Sequence, residues 1–144
     1  MKDRATVLCI RDGRVLLVAR ARSRWALPGG RIRRDEAPVD AARRELEEET
    51  GLVATELIYL FQFGGLSTLH NIFLAGVPSD AVAQPSNEIA RCRWFVSSKI
   101  ATLSASVPTR GIVELLFPHG RIQMAAPSVK TGTPVGDGMT TAAK

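Results

Sequence analysis

Seven of the chain's 14 acidic residues fall in one 15-residue stretch: Asp35, Glu36, Asp40, Glu45, Glu47, Glu48 and Glu49. Like charges this dense repel one another, and the repulsion has to be offset by arginines, by solvent or by a bound cation. Any fold must place the stretch where one of these is at hand. From Pro38 to Thr50 the residues read as a helix. Proline suits the first helical position, Ala41, Ala42, Leu46 and the glutamates are good helix formers, and Gly51 stands where a left-handed cap is expected. Ala37, just ahead of Pro38, offers no side-chain acceptor to cap that helix.

On this helix Glu45, Glu48 and Glu49 share an arc of about 100° that also holds the small Ala41. Leu46 and Val39 form the adjoining apolar stripe, while Asp40, Arg43 and Glu47 point to the opposite, solvated side. The acidic face therefore borders the core. Hard cations such as Mg²⁺ bind through a few carboxylates together with phosphate oxygens and water, which such a face offers. On spacing alone, a solvated acidic stripe with i,i+4 arginine partners accounts for the glutamates as well.

Ahead of the helix, Ala5–Arg11 and Val15–Ala19 are apolar and rich in β-branched residues, and the Asp12-Gly13 pair between them predicts a hairpin. An arginine-rich loop, Arg20–Trp25, leads into the specialised turn Ala26-Leu27-Pro28-Gly29-Gly30. Beyond the helix, Leu57–Phe63, Asn71–Ala75 and Cys92–Val96 read as strands and Thr109–Phe117 as a second helix stopped by Pro118. Tyr59, Phe61 and Phe63 alternate on one strand face and read as core. A mixed α/β domain over residues 1–123 results. Residues 124–144 hold too little apolar side chain to offset ordering entropy and are expected to form a disordered tail.

Composition narrows the function classes. With 45% hydrophobic and 23% charged residues the chain is neither wholly disordered nor collagen-like, and its apolar runs are far short of the roughly 20 residues a spanning helix needs. Cys9 and Cys92 lack zinc-site spacing and read as reduced core thiols, so a cytoplasmic protein is expected, with no membrane partner. The net charge of +5 is unevenly spread: residues 1–34 hold ten basic side chains against two acidic ones, and 15 of the 19 basic residues are arginine, which suits forked contacts with phosphate. Nucleic acid or a small anionic ligand would fit that charge.

Gly30, five residues, Glu36, seven residues, then Arg44-Glu45-Leu46-Glu47-Glu48-Glu49-Thr50-Gly51-Leu52 resembles the Nudix hydrolase signature at every defined position. Trp25-Ala26-Leu27-Pro28-Gly29-Gly30 resembles the lead-in that many members share. The resemblance implies a Nudix fold, a mixed β-sheet sandwiched between α-helices, and a divalent-cation-dependent hydrolase of a diphosphate linked to another moiety, such as a nucleoside triphosphate or nucleotide sugar. It implies Glu45, Glu48 and Glu49 as Mg²⁺ or Mn²⁺ ligands with the Gly29 carbonyl, Arg44 as the arginine that orients a helix carboxylate, and Glu36 as its anchor. Gly30 and Gly51 are the structural glycines of the motif. The base that takes the proton of the attacking water would be Glu45 or the loop acid Glu88.

Arg20, Arg22 and Arg24 are candidates for substrate phosphates, and Trp25 either stacks on a base or anchors its loop. His70, one residue ahead of a predicted strand, is open to a substrate contact, with a surface or packed histidine the favoured reading. Ala37 departs from the Ser or Thr that many members carry there, which bears on stability and not on chemistry. Two other readings stay open: a non-catalytic nucleotide-binding regulatory module on the same fold, and a pyrophosphohydrolase for the 5′ end of RNA, with nucleic acid a partner less favoured than a small nucleoside diphosphate derivative. Oligomeric state is not legible in the sequence.

Overall fold

The Asp-Gly pair does make the hairpin. Strands β1 (Lys2–Arg11) and β2 (Arg14–Arg20) pair antiparallel through Ile10↔Val15 and Arg11↔Arg14, and Asp12 and Gly13 take φ of 53° and 74°. Positive φ at both turn residues matches the strand twist and favours this dipeptide. In the computed structural model, which describes residues 1–118, four further strands follow: β3 (Gly29–Arg31), β4 (Glu56–Gly64), β5 (Thr68–Gly76) and β6 (Ile89–Val96). The helices are α1 (Pro38–Thr50), the single turn α2 (Ser97–Ile100) and α3 (Val107–Leu116). The expected tail from residue 124 lies outside the described residues. No helix among the described residues is long and apolar enough to cross a membrane.

The sheet runs β4-β5-β1-β2-β6, and β1 lies at its centre. It pairs parallel with β5 from Lys2↔Thr68 to Cys9↔Ala75, whereas its other edge holds β2 only near the turn and β3 from Arg4↔Arg31 to Thr6↔Gly29. The hairpin strands thus diverge, and β3 fills the gap. Because side chains alternate, β1 and β2 feed two cores at once. Val7, Cys9 and Leu16 pack with Ala41, Ala42 and Leu46 of α1, while Leu8, Val15 and Leu17 pack with Ile112, Val113 and Phe117 around α3. Burial pushes the Cys9 thiol up to about 11, so it stays protonated and inert.

Helix α1 has the expected bounds. Ala37 gives no side-chain cap, Pro38 opens it, and Gly51 closes it at φ 74° with its N–H bonded to the Glu47 carbonyl. Helix α3 begins two residues ahead of its expected start, because Ser106 accepts a bond from the Thr109 N–H and Val107-Pro108 supply the first turn. The aromatic alternation in β4 is corrected. Leu60 is an extra residue between the pairs Tyr59↔Phe73 and Phe61↔Ile72, so the strand switches faces there. Phe61 and Phe63 pack against the α3-side core, whereas Tyr59 is exposed and touches Phe73 edge-on.

The expected glycine turn contains a strand that admits only glycine at its start. At Gly29 φ is 154°, and a Cβ there would collide with the Ala5 backbone carbonyl. Gly64 has open space around its Cβ position. Gly29→Ala is therefore expected to cost about 3 kcal/mol and Gly64→Ala to stay within roughly 0.5 kcal/mol, measured by urea unfolding.

Candidate active site

Glycine also decides what lies beneath α1. A Cβ at Gly30 would run into the Glu45 carboxyl, so the bare backbone of β3 is what lets this side chain fold between helix and sheet. The neighbouring Gly29 N–H donates to Glu49 Oε1 at 3.0 Å. Glu49 is largely removed from water, and burial, its main influence, raises its carboxyl from 4.5 to about 7 despite the Gly29 bond and the nearby Arg4.

Arg44 gathers the remaining acids. Its Nε and Nη2 donate to the two Glu36 oxygens at 2.8 and 2.9 Å, its Nη1 donates to Glu45 Oε2 at 2.8 Å and to Glu48 Oε1 at 3.4 Å, and Nη2 also reaches the Arg31 carbonyl at 3.1 Å. Glu36 accepts the Arg33 N–H at 2.9 Å as well. The paired guanidinium, and then this N–H, hold the Glu36 carboxyl down from 4.5 to about 2. Arg33 lies 3.9 Å from Glu48 Oε2, a long and exposed pair of little energetic weight.

A loop closes the site from the side. The N–H groups of Gln84 and Ser86 donate to the Thr50 and Glu49 carbonyls at 2.9 and 3.1 Å, satisfying two of the acceptors left over at the end of α1. This pins the loop so that Asn87, at φ 61°, and Glu88 overhang the helix. A cleft of about 270 Å³ results, with Glu45, Glu48, Glu49 and Glu88 on its walls. Glu88 pairs with Arg20 at 2.8 Å on the rim, where both side chains are well exposed.

The structure brings together Glu36, Arg44, Glu45, Glu48, Glu49, Gly29, Gly30 and Glu88, and Gly51 sits at the helix end. Among the described residues no three acidic, His or Cys side chains already converge on one point. Arg44 and the Gly29 N–H each occupy one oxygen of a glutamate, leaving Glu45 Oε1 and Glu49 Oε2 without a hydrogen bond among the described residues. The all-oxygen set, with one carboxylate whose charge burial disfavours, fits a hard divalent cation. Gly29 meets the helix through its N–H; its carbonyl is the atom the sequence reading assigns to a metal.

Other candidates lie elsewhere. Arg22 and Arg24 are exposed and line neither this cleft nor the larger one described below. Trp25 is 8% exposed, packs edge-on against Phe95 and has the Arg91 guanidinium over its ring, so the loop-anchor alternative describes it and base stacking does not. Arg4 escaped the sequence reading. It is a half-buried cation at the start of β1 whose charge acts on both Glu49 and Glu45. The available signal was a lone arginine entering an apolar strand.

The family model described as the NUDIX domain matches residues 1–116. A "MutT-like protein" of Streptomyces ambofaciens is 31% identical over 123 residues, covering 81% of this chain and 79% of that protein. A solved nudix hydrolase family member from Chromobacterium violaceum superposes with a TM-score of 0.71 at 33% identity, covering 80% of this chain and 75% of that one. An RNA pyrophosphohydrolase of Bartonella henselae is 63% identical over 35 residues, which amount to 24% of this chain and 20% of that protein.

Two carboxyls shifted in opposite directions give opposite pH dependences. Glu36, lowered to about 2, stabilises the fold above the ordinary carboxylate range, and this is lost as pH falls from 4.5 to about 2. Glu49, raised to about 7, contributes stability below 4.5 that is lost as pH rises to about 7. In urea unfolding with EDTA, Glu36→Gln should be less stable by about 2 kcal/mol at pH 7, converging on wild type near pH 2. Glu49→Gln should lack the wild-type decline between pH 4.5 and 7 and be the more stable protein at pH 8.

Proposed function

The chain belongs to the Nudix family, hydrolases of pyrophosphate bonds that generally use divalent metals, and on that premise we propose that it is a Mg²⁺- or Mn²⁺-dependent pyrophosphohydrolase of a small nucleoside diphosphate derivative. The observation that carries this reading is the carboxylate face of α1, where Glu45 and Glu49 each keep an uncommitted oxygen beside a glycine strand.

In the proposed site Glu45, Glu48 and Glu49, with the Gly29 carbonyl, hold the cation. When bound it supplies charge neutralisation of the diphosphate and a water of lowered pKa. Arg44, fixed by its two bonds to Glu36, keeps Glu45 and Glu48 turned toward the cleft. In this reading Arg4 and Arg20, whose charges both act on Glu49, meet substrate phosphate oxygens. The attacking water's proton goes to a carboxylate, and Glu88 is the cleft carboxylate that comes from the loop and not from α1. Attack in line at phosphorus then gives two phosphate-bearing products, with Glu45 the alternative base. The surplus of arginines in the first 34 residues favours a second reading, 5′-end RNA as substrate.

The test is product release from nucleoside triphosphates, nucleotide sugars, dinucleoside polyphosphates and 5′-triphosphorylated RNA, with Mg²⁺ or EDTA. One class should turn over only with metal, and Glu49→Gln should lower kcat/KM by roughly 10²–10⁴-fold. Glu88→Gln should lower kcat with the Mg²⁺ midpoint unchanged; full kcat in Glu88→Gln, with Glu45→Gln losing kcat and raising that midpoint, would make Glu45 base and ligand together. An RNA substrate would show KM rising steeply with salt, whereas a free nucleotide would not.

A further inference from the structure

On the α3 side of the sheet, opposite α1, lies a second and larger cleft of about 730 Å³, within the range of small-molecule sites. Its walls are Leu27, Phe63, Pro108 and Ile112, and Leu66 and Val107 stand fully or largely exposed at its mouth. Phe63 is seated against α3 at Gly111, where a Cβ would collide with the ring. Arg4 also lines this cleft, so one cation serves both it and the carboxylate site.

One polar group in the cleft is left over. His70 is 6% exposed, its Nδ1 lies 2.9 Å from Thr6 Oγ1, and its Nε2 is buried with no hydrogen-bond partner among the described residues. Such an atom is costly unless something satisfies it. The tautomer follows from Thr6. This hydroxyl is buried, and Nδ1 is its hydrogen-bond partner among the described residues, so Thr6 donates, Nδ1 accepts and the ring proton sits on Nε2. Burial, and then the Arg4 charge, lower the His70 pKa and keep the ring neutral. Gly65 lies near this edge of the ring, where a Cβ would come 3.9 Å from Nε2. Gly64 and Gly65 line the cleft beside His70.

We infer that His70 is the specificity-determining residue of this cleft, its Nε2–H donating to an acceptor atom on the planar base of a nucleotide seated against Phe63 with its phosphates toward Arg4. The inference rests on the proposed hydrolase reading for the direction of the phosphates, but base recognition can be measured without it. A donor that loses its acceptor is left unpaired, so discrimination against bases without one should be strong.

The experiment is a titration of the full chain, in EDTA, with AMP, GMP, CMP and UMP, following the ¹⁵N-labelled histidine side chains; His70→Gln distinguishes His70 from His119, the second histidine. The free protein should show the Nε2–H tautomer, and Thr6→Val should mix the tautomers. At least one monophosphate should shift the Nε2 resonance. His70→Phe, shown folded by circular dichroism, should raise the Kd of that monophosphate about tenfold or more, while His70→Gln, which keeps a donor, should stay within about threefold. Absence of binding by all four, or binding that leaves the resonance and the His70→Phe affinity unchanged, overturns the inference. His70-dependent binding without any metal-dependent hydrolysis would strike the hydrolase reading alone.

Discussion

One guanidinium makes the acidic helix compatible with a folded core. Arg44 sits among Glu36, Glu45 and Glu48 and bonds to all three, so the carboxylates do not have to face bulk water. A lysine ammonium is a point charge and could not reproduce the planar fork on Glu36 while also donating to Glu45. Because Glu36 is itself fixed by the Arg33 N–H, the segment between β3 and α1 is held by the same contacts. One positive charge against three negative ones still leaves the group anionic, with the half-buried Glu49 carboxyl beside it. A structure optimised for stability alone would have no reason to keep that excess.

The second constraint is the central strand. β1 takes a parallel partner on one edge and two antiparallel partners on the other, and its residues alternate between two cores. A slip of one residue would send Leu8 to the α1 side and Val7 to the α3 side, exchanging both cores together. The same alternation puts Arg4 and Thr6 on the face of Leu8, away from Ala5 and Val7, which is why both line the larger cleft.

Local chemistry was legible in the residues and long-range closure was not. Asp12-Gly13, Pro38 and Gly51 each act through their own φ preferences, so the hairpin and the bounds of α1 follow from sequence. The arc holding Glu45, Glu48 and Glu49 follows from helical geometry. What could not be read depends on distant partners. β3 is a strand because β1 diverges from β2, and nothing within Pro28-Gly29-Gly30 announces this. The bulge at Leu60 depends on pairing with β5, so the expected aromatic face was split. Arg4 passed unnoticed and Trp25 kept two readings for one reason: burial and neighbours, not residue type, decide whether a side chain meets a ligand or a core. Their roles turn on Glu49, Phe95 and Arg91, all far along the chain.

Carrying the carboxylate helix on one face of the sheet and the apolar cleft on the other has an evolutionary corollary. The two clefts have no lining residue in common: one is built from α1, its flanking loops and the ends of β3 and β6, the other from β1, β4, β5 and α3. Substitutions at Phe63, Leu66 or Val107 can therefore drift without touching the Arg44 cluster, and a gene duplicate could acquire a new preference through few changes. Arg4 is the exception: bound electrostatically to one site and lining the other, it is the position where such drift should be slowest.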